Sequence, residues 1–217
     1  MRRPAHILLS VLISIFFLAG CQTAYYKTME KIGVHKRDIM VDRVEKARDS
    51  QEEAKEQFKS TLEEFSSVLN FKGGNLEEKY NKLNDEYEDS EAKASDVRNR
   101  IEAVEDVSEA LFDEWEEELE QYSSASLRRN SETKLRKTRK QYTQLIGAMK
   151  RAEKKIAPVL SAFKDQVLFL KHNLNAQAIA SLQSELVSVE ANVASLIKEM
   201  EASIAEADVF IKTIAKE

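Results

Sequence analysis

The chain has few of the residues that interrupt or cross-link a fold: its 217 residues include five glycines, two prolines and one cysteine. Scarce glycine and proline, with a third of the residues charged, favour long helices over sheets or disordered chains. One cysteine excludes a disulfide framework. An excess of positive charge is also missing, since 33 Lys and Arg face 38 Asp and Glu. We therefore expect no nucleic-acid partner, because such proteins are usually basic.

Signatures of catalysis are missing as well. The sequence has no G-x-x-x-x-G-K-[ST] phosphate loop, no G-x-S-x-G elbow and no H-E-x-x-H pair. His35 and His172 belong to different predicted helices and have no Cys, Asp or Glu at metal-ligand spacing beside them. We expect a protein that is not an enzyme, with no catalytic residues, no metal and no cofactor.

The first 20 residues have the layout of a signal peptide. Arg2 and Arg3 precede an apolar run, Ile7 to Leu18, that is too short to cross a bilayer as an ordinary helix. A small-residue cleavage site follows, made of Leu18, Ala19 and Gly20 and ending at Cys21. This division predicts a signal peptide over 1–20 and a single helical domain over 21–217.

The tetrapeptide Leu18-Ala19-Gly20-Cys21 resembles the lipobox of bacterial lipoproteins. The resemblance implies acylation of Cys21, which would hold the protein on the membrane stably because several acyl chains share one residue. Gln22 stands where an Asp would imply inner-membrane retention, so the family's sorting rule implies the periplasmic face of the outer membrane. The alternative is an ordinary secretory signal in which Cys21 is incidental.

Long-range periodicity organises the rest of the chain. From Leu76 to Tyr122, apolar or small residues recur in alternating steps of four and three, which is the a/d seam of a coiled coil. Gly73-Gly74, the serine-rich stretch Ser123 to Ser126 and Asn173 to Asn175 are typical of turns. These signals predict an all-α, elongated antiparallel four-helix bundle of coiled-coil hairpins, with helices at about 24–71, 75–122, 130–174 and 176–216.

The start of the first helix has two possible positions. Gly33 interrupts the periodic run, so the helix begins near Ala24 or near Ile39. We favour Ala24 because the four helices then match in length. In that arrangement Cys21, the loop from Ser123 to Asn130 and the C-terminus lie together at one end of the bundle.

The turn between the second and third helices separates charges of opposite sign. Acidic residues precede it and basic residues follow, and antiparallel pairing would set Glu116 near Arg136. Such pairs within the hairpin would account for the pattern. The functional alternative is that Arg128, Arg129 and Lys134 contact anionic headgroups or an acidic partner.

Pro158 predicts a bend in the third helix rather than a break. Beyond it the apolar face widens to include Leu168 and Phe169, so we expect more than one neighbour to cover this half. A cavity near Pro158, Phe163 and Phe169 would suit a periplasmic module that binds an apolar ligand, and this is the second functional hypothesis.

From the lipobox through the segment YYKTMEKIGVHKRDIMVDRV (25–44), the chain resembles an uncharacterised family of proteobacterial lipoproteins with a helical domain of unknown function. That resemblance implies no known activity. The leading hypothesis is a non-catalytic scaffold or interaction protein of the cell envelope, anchored to the membrane through acylated Cys21 and contacting other envelope proteins. The oligomeric state stays open, since the same heptads could pair between chains.

Overall fold

The computed structural model describes Tyr25, Tyr26, Met29 and residues 33–71 and 73–214, so the predicted signal peptide and Cys21 lie outside the described residues. Within residues 33–71 and 73–214 there are five helices: α1 (Lys36–Leu69), α2 (Leu76–Leu119), α3 (Ala125–His172), α4 (Ala176–Gln183) and α5 (Leu186–Ile214). Helices are the only regular elements in this part of the chain. The all-α prediction is confirmed.

The helices form an antiparallel bundle in which α4 and α5 together supply the fourth helix. α1 packs against α2 and α5, and α3 packs against the same two helices, so α1 and α3 are diagonal neighbours. Across this diagonal, the rings of Phe58 and Phe163 stack with centroids 6.4 Å apart. We call the end with the α2–α3 turn the hairpin end, and the end with the α1–α2 turn the distal end.

The seam predicted in α2 is the buried face of that helix. Its central positions are at most 7 % exposed: Leu83, Tyr87, Ser90, Ala94, Val97, Ile101, Val104, Ser108 and Leu111. The other helices also turn one apolar stripe inward, so the hydrophobic core continues along the whole bundle. The periodicity therefore located the core of α2 correctly.

Local chemistry sets the turn at the distal end. Gly73 and Gly74 have φ of +133° and +121°, a region that side chains with a Cβ rarely adopt. The Asn75 side chain then caps α2 by accepting hydrogen bonds from the backbone N–H groups of Glu77 and Glu78. Asn175 caps α4 in the same way through the N–H of Ala178. Both predicted turns are confirmed.

Two predicted helix boundaries are wrong. The third helix begins at Ala125 rather than near 130, because the Ser124 hydroxyl accepts from the N–H of Leu127 and caps it there. The fourth helix is interrupted at Ser184 and Glu185 instead of running unbroken over 176–216. Ser184 donates to the carbonyl of Ser181 at 2.9 Å, a side-chain bond that competes with the helical backbone pattern.

The prediction that a single first helix begins near Ala24 is also wrong. Gly33 takes a φ of +85°, and the N–H of Val34 donates to the carbonyl of Met29 at 3.0 Å, which closes the preceding helical segment. His35 is extended, with ψ of 152°, and α1 starts at Lys36. Tyr25, Tyr26 and Met29 are helical but belong to a segment that precedes this reversal.

Tyr26, which precedes this reversal, packs against the bundle. Tyr26 is 7 % exposed and belongs to the hydrophobic core. Burial raises the pKa of its phenol, the carboxylate of Asp106 raises it further, and Arg43 and Lys36 lower it. These charged residues all belong to the halves of α1 and α2 that are nearer the hairpin end.

Candidate functional site

Charge is divided unequally between the two helices of the central hairpin. α2 contains 17 Asp and Glu and five Lys and Arg, whereas α3 contains 13 Lys and Arg and three Asp and Glu. A protein with a formal net charge of −5 therefore presents one strongly basic helix. Such a concentration of one sign creates a potential that attracts a partner of the opposite sign.

Pairing across the hairpin follows a different register from the predicted one. The Glu116 carboxylate accepts a hydrogen bond from the guanidinium of Arg139, not Arg136, which is a displacement of about one helical turn. This contact lowers the pKa of the Glu116 carboxyl. Arg139 also lies 5.2 Å from the centre of the Phe112 ring, in cation–π geometry. Arg139 therefore makes an ion pair and an aromatic contact together.

Only part of the basic charge near the hairpin end is neutralised. Arg128 reaches Glu120 at 3.9 Å, a weak exposed contact. Lys137 has a partner of its own. No described carboxylate lies within ion-pair distance of Arg129, Lys134, Arg136 or Lys140, so these four cations remain available to an external anion.

Three of these four cations form a single line on the outside of α3. Arg129, Arg136 and Lys140 are all exposed and are separated by seven and four residues, so they share one helix face. The buried residues of the same stretch, Leu135 and Thr138, lie on the opposite face. We call Arg129, Arg136 and Lys140 the basic stripe.

Lys134 instead lines an open cleft of about 280 Å³ at the hairpin end. The other lining residues are Arg37, Trp115, Tyr122, Leu127, Asn130 and Ser131. Trp115 donates from Nε1 to the Ser131 hydroxyl at 2.8 Å and so ties α2 to α3. Tyr122 and Leu127 are 41 % and 56 % exposed, which leaves apolar surface beside the two cations.

The predicted contact residues are consequently divided among three environments. Arg129 lies on the basic stripe, Lys134 lies in the cleft, and Arg128 faces Glu120. Arg136 and Lys140 were not among the predicted contact residues. Their spacing of seven and four from Arg129 is visible in the sequence, but the predicted pairing of Arg136 with Glu116 had assigned that residue a structural role.

The region of Pro158 is packed differently from the prediction. α3 continues through Pro158 without interruption, as predicted, but Pro158 is exposed. Phe163 is 1 % exposed in the core, whereas Phe169 is 38 % exposed and Leu168 48 %. The expectation that further neighbours cover Leu168 and Phe169 is wrong, and Phe163 is the only one of the three proposed cavity residues that faces the core.

Among residues 33–71 and 73–214 and the three described before them, no group of three or more His, Cys, Asp or Glu side chains could hold a metal ion. Within the same residues, no helix combines the length and apolar character needed to span a bilayer. The lipobox residues Leu18, Ala19, Gly20 and Cys21 fall outside that part of the chain.

Comparison with known proteins identifies a family for this chain. Searches of curated proteins and of solved structures found no match. A family model described as a protein of unknown function matches residues 25–214, which includes the N-terminal segment, all five helices and the basic stripe. The chain therefore belongs to the uncharacterised family DUF2959.

Proposed function

We propose that this protein is a non-catalytic, lipid-anchored scaffold of the cell envelope that binds an acidic protein partner through the basic stripe of α3. Acylation of Cys21 and placement on the periplasmic face of the outer membrane are parts of the same proposal. They rest on the lipobox, in which the only cysteine of the chain occupies the required position.

The observation that carries the proposal is that no described carboxylate forms an ion pair with the stripe; Arg129 and Arg136 donate only to the Ala125 carbonyl and the Thr133 hydroxyl of their own helix. α2 places 17 acidic residues on the neighbouring helix, yet none of them approaches Arg129, Arg136 or Lys140 within ion-pair distance. Cations that merely balanced the acidic helix would be expected to point toward it. A stripe that faces solvent instead retains its charge for an external surface, where complementary potentials speed association and select the partner.

Helical construction supports a scaffold role. Four long, continuously packed helices form a rigid body, and the stripe residues lie on a helix rather than a mobile loop, so their spacing is held constant. An acidic partner that matches this spacing gains several exposed ion pairs at once. Each is worth about 0.2–1 kcal/mol, so the three together would contribute about 0.6–3 kcal/mol, or about a threefold to 150-fold gain in affinity.

The first test is photo-crosslinking in intact cells. A photoreactive residue at Arg136 reports on the stripe, and one at Val209, which is 56 % exposed on α5, serves as the matched control. We expect specific protein adducts from position 136 and not from position 209. Adducts to lipid alone from position 136 would refute a protein partner, and equal adducts from both positions would refute a role for the stripe.

Charge reversal provides the second test. Arg136→Glu should reduce the yield of the adduct captured from position 129, because it sets a negative charge against an acidic partner. Lys212→Glu makes the same charge change at an exposed lysine of α5 and should leave the yield unaltered. If both variants lower the yield equally, net charge and not the stripe governs the contact.

Acylation is tested separately. Mass spectrometry of the mature N-terminus should find acyl groups on Cys21, and Cys21→Ser should release the chain from the membrane fraction. A mature chain with an unmodified Cys21 would instead favour the ordinary secretory signal.

A further inference from the structure

The open cleft at the hairpin end is a second place where positive charge is left without a carboxylate. Arg37 lies in the first turn of α1 and Lys134 lies near the start of α3, and both line this cleft. In the described ranges, no carboxylate lies within ion-pair distance of either side chain. Two like charges that share a recess repel each other, so an anion bound there would relieve that repulsion as well as pair with each cation.

The end of the last helix holds Arg37 in position. Its guanidinium donates a hydrogen bond to the carbonyl of Ile214, the final residue of α5. A guanidinium has five N–H donors, so this bond leaves donors available to a ligand. Arg37 is also half-buried, and its planar group therefore stands at a fixed place on the wall of the cleft.

Apolar surface lies beside these two cations. Trp115 is half-buried against the core, and the 2.8 Å hydrogen bond from its indole N–H to Ser131 joins the α2 and α3 walls of the cleft. Tyr122 and Leu127 add exposed side chains to the lining. Because the walls are already joined, binding needs little reordering, which lowers the free-energy cost of association.

A neighbouring recess has the opposite charge. It shares Tyr122 with the cleft but is otherwise lined by Glu118 and Gln121. An anion is therefore favoured in the cleft beside Arg37 and Lys134 and disfavoured in the recess beside Glu118. The positive charge of the cleft is thus a local property of a chain whose formal net charge is −5.

The size of the cleft indicates the kind of ligand. Its volume of about 280 Å³ is just under the roughly 300–1,000 Å³ typical of pockets that enclose small molecules, and the cleft is open to solvent. A recess of this kind suits one or two side chains of a protein, as the anchor positions of protein interfaces do. The segment that matches its lining has a carboxylate next to an apolar or aromatic side chain.

We propose that the cleft binds a short segment of an acidic protein, in which an aromatic side chain packs against Trp115 and Leu127 and a neighbouring carboxylate pairs with Arg37 and Lys134. The proposal rests on the proposed function for the acidic protein partner and adds an apolar anchor to it. The cleft and the basic stripe are distinct surfaces of α3, because Lys134 lies about 200° around the helix axis from Arg136. Charge on the stripe attracts acidic proteins in general, whereas the anchor selects among them.

Tryptophan fluorescence tests the proposal, because Trp115 is the one tryptophan of the chain and lines the cleft. The complete chain is titrated with acetyl-Glu-Phe-Glu-amide, acetyl-Gln-Phe-Gln-amide and acetyl-Glu-Ala-Glu-amide. We expect the first peptide to cause a saturable change in emission. Affinity should fall about two- to thirtyfold without the two carboxylates. It should fall about three- to tenfold without the phenyl ring, of which an open cleft buries about half.

No saturable change with the first peptide, or equal affinities for all three peptides, would overturn the proposal. Vesicles of phosphatidylglycerol provide the comparison with a lipid surface. If the vesicles change the emission of Trp115 and none of the peptides does, lipid and not protein occupies the cleft, and the proposal is wrong.

A matched pair of variants tests the charge. At physiological ionic strength, Lys134→Glu should weaken binding of the first peptide about two- to thirtyfold. Lys134 is exposed, so we expect the variant to fold, which circular dichroism verifies. Lys140→Glu makes the same charge change on the stripe of the same helix and should leave the affinity unaltered. Equal losses in the two variants would mean that net charge governs binding, and the proposal would fail.

Leu127→Ala tests the apolar wall. It should reduce the advantage of the phenylalanine peptide over the alanine peptide and preserve the advantage of glutamate over glutamine. The backbone N–H of Leu127, which bonds the Ser124 hydroxyl at the start of α3, is retained in this variant. An unaltered preference for phenylalanine would refute the placement of the aromatic side chain.

Failure of the cleft and failure of the proposed function are distinguishable. If crosslinking from position 136 captures no protein while the peptides still differ in affinity, the stripe is refuted and the cleft is not. If position 136 captures a protein but the peptides leave the emission of Trp115 unaltered, only the cleft is refuted.

Discussion

Replacing Gln51 with leucine should stabilise the bundle. Gln51 occupies a seam position of α1 and is 0 % exposed, and neither its Nε2 nor its Oε1 has a hydrogen-bond partner within the protein. Burying an amide without a partner costs about 1–3 kcal/mol. Leucine has a similar volume and no polar atom to desolvate. We therefore expect Gln51→Leu to raise the free energy of unfolding by about 1–3 kcal/mol.

Urea unfolding, followed by circular dichroism, measures this change as a higher midpoint at an unaltered slope. The matched control is Gln57→Leu, the same substitution one and a half turns later in α1. Gln57 donates from Nε2 to the Glu86 carbonyl at 3.2 Å and to the Glu86 carboxylate at 2.9 Å. Its loss should lower the free energy of unfolding by about 1–2 kcal/mol.

Opposite signs for the two variants are the expected result. A decrease in stability for Gln51→Leu comparable with that for Gln57→Leu would refute the reasoning, because it would mean that the buried amide makes favourable bonds in the native state. Ser203 is also 0 % exposed and has an unpartnered hydroxyl. It is a second position at which the same argument can be tested.

Three further predictions concern single features of the fold. Pro158→Ala should raise the free energy of unfolding by about 1–3 kcal/mol, since an exposed proline inside α3 removes a helical hydrogen bond; an unchanged urea midpoint would contradict this. Gly74→Ala should lower it by about 1 kcal/mol because φ is +121° there, as measured by the same titration. Arg139→Ala should raise the pKa of the Glu116 carboxyl, measurable by NMR titration. The Glu116–Arg139 contact therefore stabilises the hairpin at neutral pH and loses its effect as the pH falls through the lowered pKa.

Two glycines that occupy similar positions in the sequence pattern adopt different backbone conformations. Gly33 and Gly147 both interrupt periodic runs of apolar residues. Gly147 stays within the helical α3, whereas Gly33 adopts a φ of +85° and reverses the chain. Both conformations are open to glycine at little steric cost. The choice depends on tertiary contacts outside the local sequence, and in this structure Tyr26, which precedes Gly33, is buried in the core.

The partner of each charged residue across the α2–α3 hairpin could not be derived from the position of the turn either. Counting outward from the α2–α3 turn assumes straight helices with no preference among nearby cations. In the structure the Glu105–Lys150 pair is displaced from the predicted register by the same three residues as Glu116–Arg139, so the displacement belongs to the packing of the two helices, and the Phe112 ring adds a second contact for Arg139. An exposed ion pair is too weak to impose its own register against that packing.

The sequence by itself determined the all-helical class, the seam of α2 and the turns at Gly73-Gly74 and Asn175. These features depend on periodicity and capping, which act over a few residues. Only the tertiary structure decided the reversal at Gly33, the partner of Glu116 and the solvent-facing direction of the basic stripe. Each of these depends on which distant surface a segment contacts, and residues far apart in the chain compete for that surface through small differences in buried area and pairing energy.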